Sequence, residues 1–213
     1  MASIDEVKSL LKFRASKGGY NGDLSPNEFN LIWPRAERRY FNRLYKAYKV
    51  NKANSDALNP FKSDPTPITV DINGKYTKPI TLLHIDSIRH DFNGAEVEVK
   101  EVYDDRLASH LDSTYDAPSL RFPIYTEYST YLQFYPKALA NCQLVYLQSF
   151  TPSKWGYTVV SGRPVYNEDT SVQPRWNDSD IDEISYIALS DMGINLNDDR
   201  LQAIAERKIQ TEI

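Results

Sequence analysis

Hydrophobic positions follow two different periods along this chain of 213 residues, and the change of period divides it. From Ser3 to Phe13 the residues Ile4, Val7, Leu10 and Leu11 keep helical spacing, with Ser3 three positions ahead of Glu6 as a capping pair. Lys17-Gly-Gly-Tyr-Asn-Gly22 stops that helix. Ser25-Pro26-Asn27-Glu28 is a stronger start signal, because it joins a capping box to a proline at the first helical position. Pro34 lacks a backbone donor and is unfavourable inside a helix. The pattern therefore predicts a short helix to about Trp33 and a second from about Pro34 to Lys49, with Ala36, Tyr40, Leu44 and Ala47 as its inner stripe.

Asn51 to Thr66 has prolines, asparagines and no period, and reads as an exposed connection. From Pro67 the period drops to two. Ile68, Val70 and Ile72 alternate into Asn73-Gly74, the preferred two-residue hairpin turn, and Tyr76 opens the return strand. A second hairpin runs from Thr81 to Arg89 and back from Glu96 to Tyr103 around Asp91-Phe-Asn-Gly94, with Val97, Val99 and Val102 towards the core. Asp104 to Leu111 predicts one or two helical turns with acids at the amino end. Strands follow near Ile124–Tyr128, Tyr131–Tyr135 and Gln143–Phe150, then a hairpin around Ser161-Gly162. The chain closes with helices from Asp180 to Asp191, capped at Gly193, and from Leu196 to Ile209.

The fold class this predicts is α+β, with helices at both termini around a central antiparallel sheet built from hairpins. The expected organisation is a helical segment over 1–50, a connecting loop over 51–66, a β-rich core over 67–176 with a protruding hairpin, and a helical segment over 177–213. Within Leu144-Val-Tyr-Leu-Gln-Ser-Phe-Thr-Pro-Ser-Lys-Trp-Gly-Tyr157, Pro152 ends the strand and leaves Trp155 in a connection. A tryptophan there either caps the core or anchors another chain, and Tyr157 shares that choice.

Charge adds a polarity that the periodicity does not show. Arg35, Arg38, Arg39, Arg43, Lys46, Lys49 and Lys52 stand against the single Glu37, whereas nine acids between Glu168 and Asp199 face only Arg175. A basic front and an acidic back suit head-to-tail packing of identical copies. The 15 tyrosines point the same way, since tyrosine suits half-buried strands and subunit contacts. No apolar run approaches the length of a membrane span, and the amino terminus lacks the apolar core of a signal peptide, so a cytoplasmic origin without membrane contact is expected.

Candidate chemistry is sparse. One cysteine excludes an internal disulfide, and His84, His90 and His110 have no zinc-ligand spacing, so neither a metal nor another cofactor is expected. Asp178, Asp180, Asp182 and Glu183 cluster at the start of a predicted helix, where exposed N–H groups favour carboxylates. A metal-dependent DNA-processing enzyme would combine those acids with the basic helix, although such sites draw carboxylates from several elements. Arg35, Arg38, Arg39, Arg43, Lys46 and Lys49 gather on one helix side. That stripe serves a solvated face, phosphate contact or pairing with a neighbouring subunit equally well.

Several stretches occur in an order that carries a resemblance. They are Gly22-Asp-Leu-Ser-Pro-Asn-Glu-Phe-Asn30, Tyr135-Pro136 leading to Leu144-Val-Tyr-Leu147, Thr151-Pro-Ser-Lys-Trp-Gly-Tyr157, Pro164-Val-Tyr166, Val172 with Trp176, and Met192-Gly-Ile-Asn-Leu196. In these the sequence resembles neck or tail ring proteins of tailed bacteriophages that infect Bacteroidetes, crAss-like phages included. The similarity spans about residues 20 to 205 and is least clear over about 50 to 120. The resemblance implies a non-enzymatic virion component. It would form a ring of about twelve copies joining portal and tail around the DNA channel, with other neck or tail proteins as partners and non-specific contact with genomic DNA. A tail hub or minor capsid protein is the structural alternative. The resemblance transfers no catalytic residue, and it implies that Trp155 anchors packing at the base of a protruding hairpin.

Overall fold

The computed structural model describes residues 2–17 and 24–192. In chain order its helices and strands are α1 (Ile4–Lys17), α2 (Pro26–Lys46), α3 (Lys52–Ala57), β1 (Thr66–Ile68), β2 (Lys75–Thr77), β3 (Leu82–Phe92), β4 (Ala95–Glu98), β5 (Lys100–Glu101), α4 (Asp104–Leu111), β6 (Ile124–Glu127), β7 (Tyr131–Tyr135), β8 (Cys142–Gln148), β9 (Tyr157–Val160), β10 (Arg163–Tyr166) and α5 (Asp178–Asp191). The class is α+β, with helices towards both ends and mostly antiparallel pairing between them. Two compact units emerge: the first combines the chain up to Pro60 with the chain from Phe150, and the second spans Phe61–Ser149. Among the described residues no helix is long and apolar enough to cross a membrane. The helix expected over Leu196–Ile209 and the stops at Gly18–Gly22 and Gly193 lie outside the described residues.

In the first unit α1 buries Ile4, Val7, Leu11 and Ala15, one stripe at helical spacing. Its start is a reciprocal cap: Glu6 N–H donates to Ser3 Oγ and Ser3 N–H donates to the Glu6 carboxylate at 2.7 Å. The Ser25/Glu28 capping box opens α2 in the same way. That helix then runs unbroken through Pro34, which corrects the expected division into two helices. The proline removes the bond that residue 34 would make to the Asn30 carbonyl. Phe29 and Trp33 before it, and Ala36, Tyr40, Phe41 and Leu44 after it, are nevertheless all buried on one face. Packing on both sides outweighs one lost hydrogen bond. The helix ends at Lys46, so Lys49 lies in the following turn with a positive φ.

The stretch 51–66 also differs from the open connection expected of it. Asn51 caps α3, a single 3-10 turn follows at Asn59–Phe61, and Leu58 and Phe61 are fully buried. Two apolar side chains inside a polar run show no period, which is why the pattern missed them.

The second unit holds two four-stranded sheets. One has the order β1-β8-β3-β4 and the other β2-β7-β6-β5, with β5 against β6 as the single parallel pair. Ile68, Ile85, Ile88, Cys142, Leu144 and Tyr146 from the first sheet share one buried cluster with Tyr125, Leu132 and Phe134 from the second. Ile85 and Ile88 sit three apart yet both face inward, because register shifts in β3 reset the alternation. Val99 carries the chain from one sheet to the other, since β4 pairs with β3 and β5 with β6.

The Asn73-Gly74 turn forms, held by Asp71, whose carboxylate accepts the N–H groups of Asn73 and Lys75. It does not make the expected hairpin, because β1 pairs with β8 whereas β2 pairs with β7. Ile72 is 94 % exposed, so the alternation of Ile68, Val70 and Ile72 does not mark one buried strand face.

Truncation in the shared cluster should be far costlier than at the turn. Leu144→Ala should lower unfolding stability by about 2–5 kcal/mol, whereas Ile72→Ala should stay within about 0.5 kcal/mol, both read by chemical denaturation.

Candidate functional site

Three groups of functional side chains lie in the first unit, and α2 positions all of them. Its inner face meets Trp176, whose ring is fully buried edge-on to Tyr40 at 5.2 Å and near Phe41 and Phe150. This packing aligns α2 with α5 and decides which charges meet. Arg43 bonds Glu183 at 2.5 Å while its guanidinium lies over the Tyr40 ring, and Tyr40 donates its hydroxyl to Asp180 at 2.7 Å. Arg39 pairs with Asp191, and Arg14 of α1 pairs with Asp182 at 2.7 Å. Asp178 accepts the Ala2 N–H.

Complementarity between the basic helix and the acidic helix is thus partly internal to one chain. Asp180 is buried rather than displayed, and burial lifts its carboxyl above the usual range against the opposing pull of the Tyr40 hydroxyl. Tyr40 is pushed up as well, by burial first and then by Asp180. Arg35, Arg38 and Lys46 are exposed and meet no acid among the described residues. Lys49 is exposed, beyond the helix, with its ammonium 5.9 Å from the Tyr48 ring.

Glu37, which reads in the sequence as the lone acid of a basic run, is the most deeply buried charge of α2. The sequence reading missed it. One carboxylate oxygen accepts the Ser153 N–H at 2.8 Å and the other accepts the Ser153 hydroxyl at 2.5 Å. Burial nonetheless raises its carboxyl from 4.5 to about 7, with the Ser153 bonds and the nearby indoles of Trp33 and Trp176 pulling the other way. A signal for it exists: position 37 falls one turn after Trp33 and one turn before Phe41, inside the apolar stripe. Splitting the helix at Pro34 obscures that phase.

Trp155 is 4 % exposed and packed inside its own unit. Its indole N–H donates to Asp5 at 2.8 Å, the Lys8 ammonium sits 3.4 Å from the ring centroid, Tyr157 stacks beside it and Tyr166 packs at a tilt. Asn30 of α2 clamps its main chain in both directions at 2.9 Å, accepting the Trp155 N–H and donating to the Trp155 carbonyl. Gly156 must follow, because a Cβ there would stand 2.5 Å from the Thr170 carbonyl carbon. Tyr157 is half-buried and donates its hydroxyl to Asn27. From this base β9 and β10 extend with Val159, Val160 and Val165 exposed.

The remaining candidates are dispersed. His90 bonds the Ala140 carbonyl at 2.7 Å, Cys142 is buried with its thiol pushed up to about 11 by burial, and no group of three or more metal-type side chains gathers among the described residues.

Glu37 makes stability fall as pH rises. The folded protein prefers the protonated carboxyl, so the burial penalty is absent below 4.5, grows through the window to about 7, and is complete above it. Glu37→Gln removes the titration. The stability lost by the wild type between pH 5 and pH 8, relative to the variant, should be about 2 kcal/mol in denaturant titrations, and identical pH profiles would contradict the assignment.

No protein-family model matches the chain, and no curated protein matches it in sequence.

Proposed function

We propose that this protein is a structural virion component, a ring-forming member of the neck or tail of a tailed phage that connects portal and tail around the DNA channel. The observation that carries the reading is where the residues of the resemblance lie in space. Asn27 and Asn30 come from the first of those stretches, Trp155 and Tyr157 from the third, Tyr166 from the fourth and Val172 from the fifth. They are scattered over about 150 positions of sequence. In the fold they make one assembly: Asn27 accepts from Tyr157, Asn30 clamps Trp155, Tyr166 packs on its ring, and Lys154 bridges to Val172. Residues that share one packing task support the resemblance as more than a coincidence of short words. What they build is the base of an exposed hairpin, a scaffold feature rather than a reactive centre.

Metal-dependent DNA processing draws less support. Asp180 is buried against Tyr40, while Asp182 and Glu183 are engaged by Arg14 and Arg43, so the acids proposed to hold a metal already have partners within the chain.

The test combines mass measurement of the purified assembly with imaging of intact particles. The expected outcome is a closed ring of about twelve copies and density for it at the neck or tail. A protein that is monomeric at every concentration and absent from particles would overturn the proposal.

A further inference from the structure

We propose that the arginine groove on α2 receives the exposed Tyr103 segment of a second copy of this chain. The inference deepens the ring reading, on which it rests, by naming the surfaces that join neighbours.

The groove is lined by Ile32, Arg35, Arg38, Arg39, Asn42 and Asp191 and measures about 560 Å³. Asp191 holds Arg39 at one side. Arg35 and Arg38 have no acid partner among the described residues, so the groove presents two guanidinium groups beside a half-buried isoleucine. Such a surface suits a ligand that brings anionic oxygen and a flat apolar face together.

Phosphate is the weaker match. The chain has 29 acids against 25 lysines and arginines, and a net charge of -4 opposes a polyanion. Affinity for nucleic acid is built from many summed cations, and this groove offers two that meet no acid among the described residues.

An acidic protein surface fits better, and this chain displays one. Tyr103 is 68 % exposed, standing between Glu101 on β5 and Asp104 and Asp105 at the start of α4. Glu101 and Asp105 are exposed and meet no cation among the described residues. The field is collective: after burial, the next influences raising the Tyr125 hydroxyl are Glu101, Glu127 and Glu98. β5 is the outer strand of its sheet, so the segment lies at an open edge. Tyr103 matches the groove by placing its ring against Ile32 and a guanidinium, with Glu101 and Asp105 beside Arg35 and Arg38. Because the two surfaces are unlike, each copy offers one and accepts the other, which is the head-to-tail contact that generates rings.

The experiment uses full-length chains in two charge-reversed forms, Arg35→Glu with Arg38→Glu, and Glu101→Lys with Asp105→Lys. All four positions are exposed, and circular dichroism checks that both forms fold. Sedimentation should show that each form alone needs at least about tenfold more protein to assemble than the wild type. An equimolar mixture should recover assembly, because the reversed groove of one meets the reversed segment of the other. Failure of the mixture to recover overturns the contact. If both variants assemble as the wild type does, the contact falls and the ring reading stands; a wild type that never assembles and is absent from particles removes both. If the arginine variant assembles normally but no longer retains a short DNA duplex that the wild type binds, the groove is a phosphate site and the proposal is wrong.

Discussion

The first unit depends on one burial: α2 must hide a wide aromatic face, and it does so against Trp176 and α5. Phe29, Trp33, Tyr40 and Phe41 are rigid and large, so the helix has few rotations and translations that seat them all. Fixing that phase determines everything else on the helix. It sends Glu37 inward to Ser153, sets Arg43 beside Glu183 and Arg39 beside Asp191, and turns Arg35 and Arg38 outward. The ion pairs are consequences of this alignment rather than its cause, because partly exposed pairs contribute only about 0–1 kcal/mol each.

The same constraint explains what was legible in the sequence. Local chemistry carried well: the capping boxes at Ser3 and Ser25 and the tight turns at Asn93-Gly94 and Ser161-Gly162 each satisfy backbone groups with neighbours in sequence. Decisions made by distant partners did not carry. Pro34 reads locally as a break, and only the aromatic packing on both sides keeps α2 whole. The Asn73-Gly74 turn reads locally as a hairpin, but β8 and β7 draw its two arms into different sheets. Of the candidate site, the basic stripe was visible. Its division into Arg39 and Arg43, paired with α5, and Arg35 and Arg38, without an acid among the described residues, was not, because that division depends on where α5 lies.

Trp155 illustrates how a connection becomes a structural node. Proline ends the strand, Asn30 takes both main-chain groups of the tryptophan, and Asp5 and Lys8 address its indole from α1. Polar groups left over at the end of a strand are thereby satisfied by two helices, which lets an irregular segment be buried. The hairpin beyond it can extend outward because its base is fixed.

In the proposed ring, α2 uses its inner face to organise its own chain and its outer face to meet the next copy. Chemical cross-linking of an assembly made from mixed isotopically light and heavy chains tests it most directly, since a heavy–light link can arise only between copies. The proposed contact should give heavy–light links joining Lys46, on α2, to Lys100, on β5 beside Glu101. Abundant links between copies at other lysines, with Lys46 joined only to lysines of its own chain, would contradict it.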